Sequence, residues 1–133
     1  MKLTRAADYG IRCVLYMAKK PKGSIVLLKN IYEELDTPKH LTSKIMRKLV
    51  ENGIVKSFIG TGGGYSLSKP ASEISMLDVI ECIEGEINLN ECTTEDGCPR
   101  EYSCEVYPVW AEIQENLKTV LGNYNFSNLL KKG

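Results

Sequence analysis

Three cysteines stand at equal intervals in one acidic stretch: Cys92, Cys98 and Cys104, with five residues between each pair. Gly97 and Pro99 break any helix between them, so the thiols belong to a loop whose backbone can curl. Three thiolates on such a loop can cap one soft metal centre, because sulfur ligands favour iron–sulfur clusters, zinc or copper(I). These centres usually take four protein ligands, so a fourth must come from elsewhere. Zinc-binding cysteine pairs usually stand about two to four residues apart, which counts against a structural zinc. Ferredoxin-like runs are tighter and supply all the thiolates themselves, which counts against a small electron carrier. A thiol redox switch stays open as the alternative to a metal.

The chain has 133 residues, 43% of them hydrophobic, enough for one domain with its own core. Its net charge is zero, but the two halves differ. Residues 1–70 hold 13 Lys and Arg against 5 Asp and Glu, a net of +8; residues 71–133 hold 4 against 12, a net of −8. That asymmetry points to a nucleic-acid-binding first half. Ile11–Ala18 is too short and too amphipathic for a secretory core or a membrane span. The expectation is a cytoplasmic protein without a membrane partner, whose thiols stay reduced and serve a metal or a reactive site rather than disulfides.

The elements that must position these groups follow from apolar spacing. Leu3, Ala7, Ile11, Val14, Leu15 and Ala18 recur at helical steps and predict a helix over 3–19. Asp8 and Arg12 share one of its faces, and Cys13 falls on the apolar side. Leu28, Ile31 and Leu35 predict a short second helix. Thr37 is expected as the N-cap and Pro38 as the first residue of a third helix reaching Glu51. Leu41, Ile45 and Leu49 form its apolar stripe; Lys39, His40, Ser43, Lys44, Arg47 and Lys48 its outer face. Two short helices with a tight turn, the second basic outside, read as a helix-turn-helix. Backbone contacts would come from Lys39, Lys44 and Lys48, and base contacts from His40, Ser43, Lys44 and Arg47.

Extended runs at 54–58 and 65–67 flank Gly60-Thr61-Gly62-Gly63-Gly64 and predict a hairpin. A nucleotide-binding glycine loop would need a helix behind it and a Lys-Ser/Thr, and has neither. Behind a helix-turn-helix the hairpin is a wing, with Lys56, Thr61, Gly62, Gly63 and Tyr65 as DNA contacts and Lys69 nearby. Ser75 and Asp78 form a capping box, with Ile74 and Val79 as a staple, for a helix ending at Gly85 that includes Cys82 as a core residue. From about 105 to 121 Val106, Val109, Trp110, Ile113, Leu117, Val120 and Leu121 line one stripe of a helix roughly 25 Å long. In so small a domain it is expected to project and pair with a second copy through Val106, Trp110, Ile113, Leu117 and Val120. A short helix over 125–130 and a frayed 131–133 complete the chain. No catalytic constellation is present, so neither an enzyme nor a small-molecule substrate is expected.

The fold class is thus mainly α with a small β-hairpin: a winged helix-turn-helix over 1–70, whose first helix also packs at the dimer interface, then a cysteine loop (about 86–104) and a dimerisation helix (about 105–122). The opening Met1-Lys2-Leu3-Thr4, the 28–53 helix-turn-helix, Gly60 to Tyr65, Asp78-Val79-Ile80 running to Glu84-Gly85, and the three cysteines together resemble the Rrf2 family of bacterial winged-helix regulators over nearly the whole chain. The resemblance implies a homodimer on palindromic double-stranded DNA. It implies an iron–sulfur cluster, 4Fe-4S or 2Fe-2S, on Cys92, Cys98 and Cys104, sensing nitric oxide, redox or iron–sulfur status. The cluster-assembly branch takes its fourth ligand from a histidine three residues past the last cysteine, where this chain has Tyr107. The nitric-oxide-sensing branch uses an aspartate of the partner's first helix beside an arginine one turn later, and Asp8 and Arg12 match both positions. Many relatives carry an arginine immediately before the wing's first glycine; here it is Ile59.

Overall fold

The computed structural model describes residues 3–89 and 105–132, so Cys92, Cys98 and Cys104 lie outside the described residues. Six helices and a hairpin follow in order: α1 Arg5–Ala18, α2 Leu28–Glu34, α3 Lys39–Glu51, β1 Val55–Phe58, β2 Gly64–Leu67, a 3-10 turn Ala71–Glu73, α4 Met76–Glu84, α5 Tyr107–Asn123 and α6 Phe126–Lys132. The fold is mainly helical with one two-stranded antiparallel sheet, as the spacing predicts.

Helix α1 starts later than its apolar pattern because Thr4 takes the N-cap, its hydroxyl accepting from the Ala7 N–H at 3.1 Å. Ala7, Ile11, Cys13, Val14 and Met17 are buried, and the face they form lies against α4. Gly10 permits that approach: a side chain there would run into the Ile83 δ-methyl. The capping box of α4 is present in both directions, Ser75 Oγ accepting from Asp78 N–H and Asp78 Oδ2 accepting from Ser75 N–H, each at 3.0 Å. Ile74 and Val79 are both fully buried in the same cluster. That cluster draws on residues from Ile11 to Phe126, so both charge halves share one core.

Three expectations are corrected. Pro38, not Thr37, is the N-cap of α3, and it has no side-chain capping bond. Asp36 carries a positive φ of 52°, which turns Thr37 inward so that its hydroxyl meets Thr42 Oγ1 at 2.7 Å instead of a backbone donor. The buried stripe of α3 is Thr42, Ile45, Met46 and Leu49, while Leu41 is only half-buried. Cys82 is not core: it is half-buried between α3 and α4, where its thiol donates to the Lys48 carbonyl at 3.2 Å. Cys13 is the buried cysteine, as expected.

The final helix extends to Lys132 rather than fraying at 131. Asn125 and Asn128 cap one another's backbone N–H, at 2.8 and 3.3 Å. Phe126 is the largest fully buried side chain, and Phe126 N–H donates to Ile74 O at 3.1 Å while Met76 N–H donates to Tyr124 O at 2.8 Å. The C-terminal turn is thereby fastened to the start of α4.

Candidate nucleic-acid interface and metal-binding segment

Helix α3 shows its basic residues outward because its buried positions leave them no other side. Lys39, His40, Lys44 and Arg47 are exposed and Ser43 is half-buried. At about 100° per residue, His40, Ser43, Lys44 and Arg47 fall within roughly a 100° arc opposite the buried stripe. Lys44 and Arg47 have no ion-pair partner among the described residues. Lys48 lies at the flank of that arc and is already engaged: its ammonium donates to the Ile83 carbonyl at 3.1 Å, near the C-terminal end of α4. There a cation meets the negative end of the helix. Its carbonyl also accepts from Asn52 Nδ2 at 2.8 Å.

The hairpin follows α3 directly, pairing Val55 with Leu67, Lys56 with Ser66, Ser57 with Tyr65 and Phe58 with Gly64. Val26 adds a third extended piece through two short bonds with Tyr65, 2.7 and 2.8 Å. Tyr65 therefore anchors the wing to the body, and it packs against the core. Lys56, Thr61 and Gly62 are exposed. Gly63 N–H donates to Gly60 O at 2.9 Å, and a side chain on Gly63 would collide with the Phe58 carbonyl, so the turn needs glycine there. Ile59, at the tip, is 98% exposed.

On α1, Arg12 Nε donates to Asp8 Oδ2 at 3.0 Å, with 43% of the Asp8 side chain exposed. A pair this open contributes little to stability. Thr4 N–H donates to Glu84 Oε1 at 2.7 Å, which sets the start of α1 against the end of α4, the helix that leads into the cysteine segment. Among the described residues no group of three His, Cys, Asp or Glu could hold a metal ion. The described thiols suit one poorly: burial pushes Cys13 up to about 12. Burial likewise raises Cys82, with the Lys48 charge opposing it.

The cysteine segment is clamped where it leaves the body. Leu89 N–H donates to Gln114 Oε1 at 2.9 Å, Gln114 Nε2 donates to Asn88 Oδ1 at 3.3 Å, and Lys118 Nζ donates to Glu86 Oε1 at 2.9 Å. The bond to Glu86, more than its charge, raises the Lys118 pKa. Gln114 is the one buried residue of α5. An apolar stripe could not disclose it; its spacing from Leu117, Lys118 and Leu121 could have. Val106, Val109, Trp110, Ile113 and Val120 are all exposed. On average they lie roughly a quarter turn from the buried Gln114, so the apolar residues of α5 form one broad stripe whose inner edge packs on the body. Leu117 and Leu121, half-buried within that stripe, pack against the core.

The chain matches the Rrf2 family model, described as an iron-dependent transcriptional regulator, over residues 3–132. It belongs to the Rrf2 family. It is 27% identical over 131 residues to the regulator IscR of Xenorhabdus nematophila, covering 98% of this chain and 80% of that one. It superposes on CymR, the global cysteine regulator of B. subtilis, with a TM-score of 0.80 and 27% identity, covering 100% of this chain and 98% of the other. With T. potens IscR the TM-score is 0.79 at 23% identity, covering 99% and 88%, a likeness of fold. These Rrf2 relatives are named as regulators, not enzymes, in agreement with the sequence reading. No helix among the described residues is long and apolar enough to cross a membrane.

Proposed function

We propose that this Rrf2 chain acts as a homodimer that binds a palindromic double-stranded DNA operator and reports the state of an iron–sulfur cluster. The observation that carries the DNA reading is the arc of His40, Ser43, Lys44 and Arg47 beside a narrow glycine wing. Arg and Lys there can donate to guanine acceptors, while Lys39, Lys56 and the exposed Thr61 and Gly62 suit backbone contact. Lys48 serves the seam with α4, and Gly63 and Tyr65 serve the shape of the wing. Residues 1–70 are the reading head; residues 71–133 are the sensing and pairing region. The exposed face of α5 supports pairing with a second copy.

Cys92, Cys98 and Cys104 would hold the cluster, with Asp8 of the partner subunit as the fourth ligand and Arg12 orienting it. The iron-dependent character of the Rrf2 family and the soft donor set support this. When bound, such a cluster supplies iron sensitive to nitric oxide, oxygen or iron supply. This chain's part is to hold Asp8 open on α1 while α1 packs on α4, so that the ligand and the helix leading into the cysteine segment move together. A bound ligand can bias a bistable element of that kind.

Purification without oxygen, followed by visible absorbance and native mass measurement, tests the reading. A brown dimer whose mass exceeds the chain by iron and sulfide is expected, and Asp8→Ala should change the spectrum while leaving dimer and helicity intact. A colourless protein holding zinc, or none even after reconstitution, would refute the cluster. An unchanged Asp8→Ala spectrum would refute the fourth ligand alone.

A further inference from the structure

The last turn of α1, the loop after it and the segment from Ser66 to Ala71 line a half-open cavity of about 390 Å³. That is within the range of small-ligand sites. Lys20, Lys22, Lys69, Ser24, Ser66 and Ser68 line it, and no carboxylate does. Ser66 is 7% exposed, and among the described residues its hydroxyl has no hydrogen-bond partner. A buried hydroxyl left so is costly unless something in the cavity meets it. Lys22 and Lys69 form no ion pair among the described residues, although Lys69 also borders a neighbouring cleft with Asp78 and Glu81. The Lys20 ammonium lies 4.7 Å from the Tyr16 ring centre, held by a cation–π contact. Met17 and Leu67 make part of the remaining wall apolar.

We propose that this cavity binds a small organic phosphate, with Ser66, Lys22 and Lys69 recognising the phosphoryl group and Met17 and Leu67 facing its apolar body. A phosphate monoester is a dianion with several acceptor oxygens, so it can answer more than one ammonium and more than one hydroxyl at once. A carboxylate brings a single charge and leaves part of that set unanswered. The phosphates of duplex DNA share part of the chemistry, but each is a diester with a single charge and brings no apolar body to lie against Met17 and Leu67. The site does not depend on the DNA reading or on the cluster. Ser66 belongs to β2, so its ligand would touch the wing strand and the last turn of α1 together.

The test is calorimetric titration of the full chain with phenyl phosphate, inorganic phosphate and benzoate. Phenyl phosphate should bind at submillimolar concentration, more tightly than either of the others. Ser66→Ala should weaken it by about fivefold, the loss of one hydrogen bond. The Lys22→Gln/Lys69→Gln double variant should weaken it by roughly tenfold or more. Absence of binding to the folded chain at millimolar phenyl phosphate overturns the proposal. So does binding that both variants leave unchanged, or benzoate binding as tightly as phenyl phosphate. If the lysine variant lowers only the salt dependence of duplex binding while phenyl phosphate fails to bind, the lysines serve DNA and the proposal also fails.

Discussion

Trp110→Ala tests the exposed part of the apolar stripe of α5. Trp110 keeps 39% of its surface exposed although it is the only tryptophan in the chain. A tryptophan offers up to about 250 Å², so about 100 Å² of this one faces outward. At about 25 cal/mol per Å², covering that area in a dimer stabilises by about 2.5 kcal/mol per protomer. A twofold seam uses the same residue from both sides, giving about 5 kcal/mol per dimer. With each tenfold in affinity worth about 1.4 kcal/mol, dimerisation should weaken by about three and a half orders of magnitude. Sedimentation equilibrium across concentrations measures it, with far-UV circular dichroism confirming that the helices persist. Glu115→Ala, on the polar side of α5, should leave the dimer as it was. A Trp110→Ala protein that is folded and dimerises like the parent would show that this face of α5 is not the seam.

Four further outcomes follow from the same structure. Phe126→Ala empties the largest fully buried position and should cost about 3–5 kcal/mol in urea denaturation. Lys44→Ala and Arg47→Ala should each weaken DNA binding, and where a phosphate contact is lost the salt slope should fall by about one, read by fluorescence anisotropy over a salt series. Lys48→Ala should instead lower the melting temperature, since its ammonium is spent on the Ile83 carbonyl. Cys13 has its pKa raised from 9.0 to about 12 by burial. Its contribution to stability is complete below pH 9.0 and is lost toward pH 12, because the unfolded chain gives up that proton first. Alkaline denaturation of the parent should therefore steepen relative to Cys13→Ala by up to about 1.4 kcal/mol per pH unit in that window.

Much of this molecule could be read from residue spacing. The capping box of Ser75 and Asp78, the hairpin around the glycines, the long α5 and the isolated buried Cys13 are local statements, and local chemistry writes them directly. The errors share one cause. Thr37 is a good N-cap in isolation, yet its hydroxyl is used by Thr42 across the turn. Cys82 lies on an apolar helix, but the α3–α4 seam leaves it half covered. Leu117 belongs to the same periodic stripe as Ile113, and only packing assigns one to the core and the other to solvent.

By itself the sequence determined which segments coil, which extend, where a basic face would fall, and that three thiols share one acidic stretch. Periodicity, caps and ligand softness act over a few residues and need no partner. The tertiary structure decided which polar groups were already engaged: Lys48 by α4, Gln114 by the entry to the cysteine segment, Tyr65 by Val26. It also decided that Ser66 would be buried beside a lysine-lined cavity. Those outcomes depend on which remote backbone groups come within hydrogen-bonding distance, a quantity that side-chain spacing along one element does not contain.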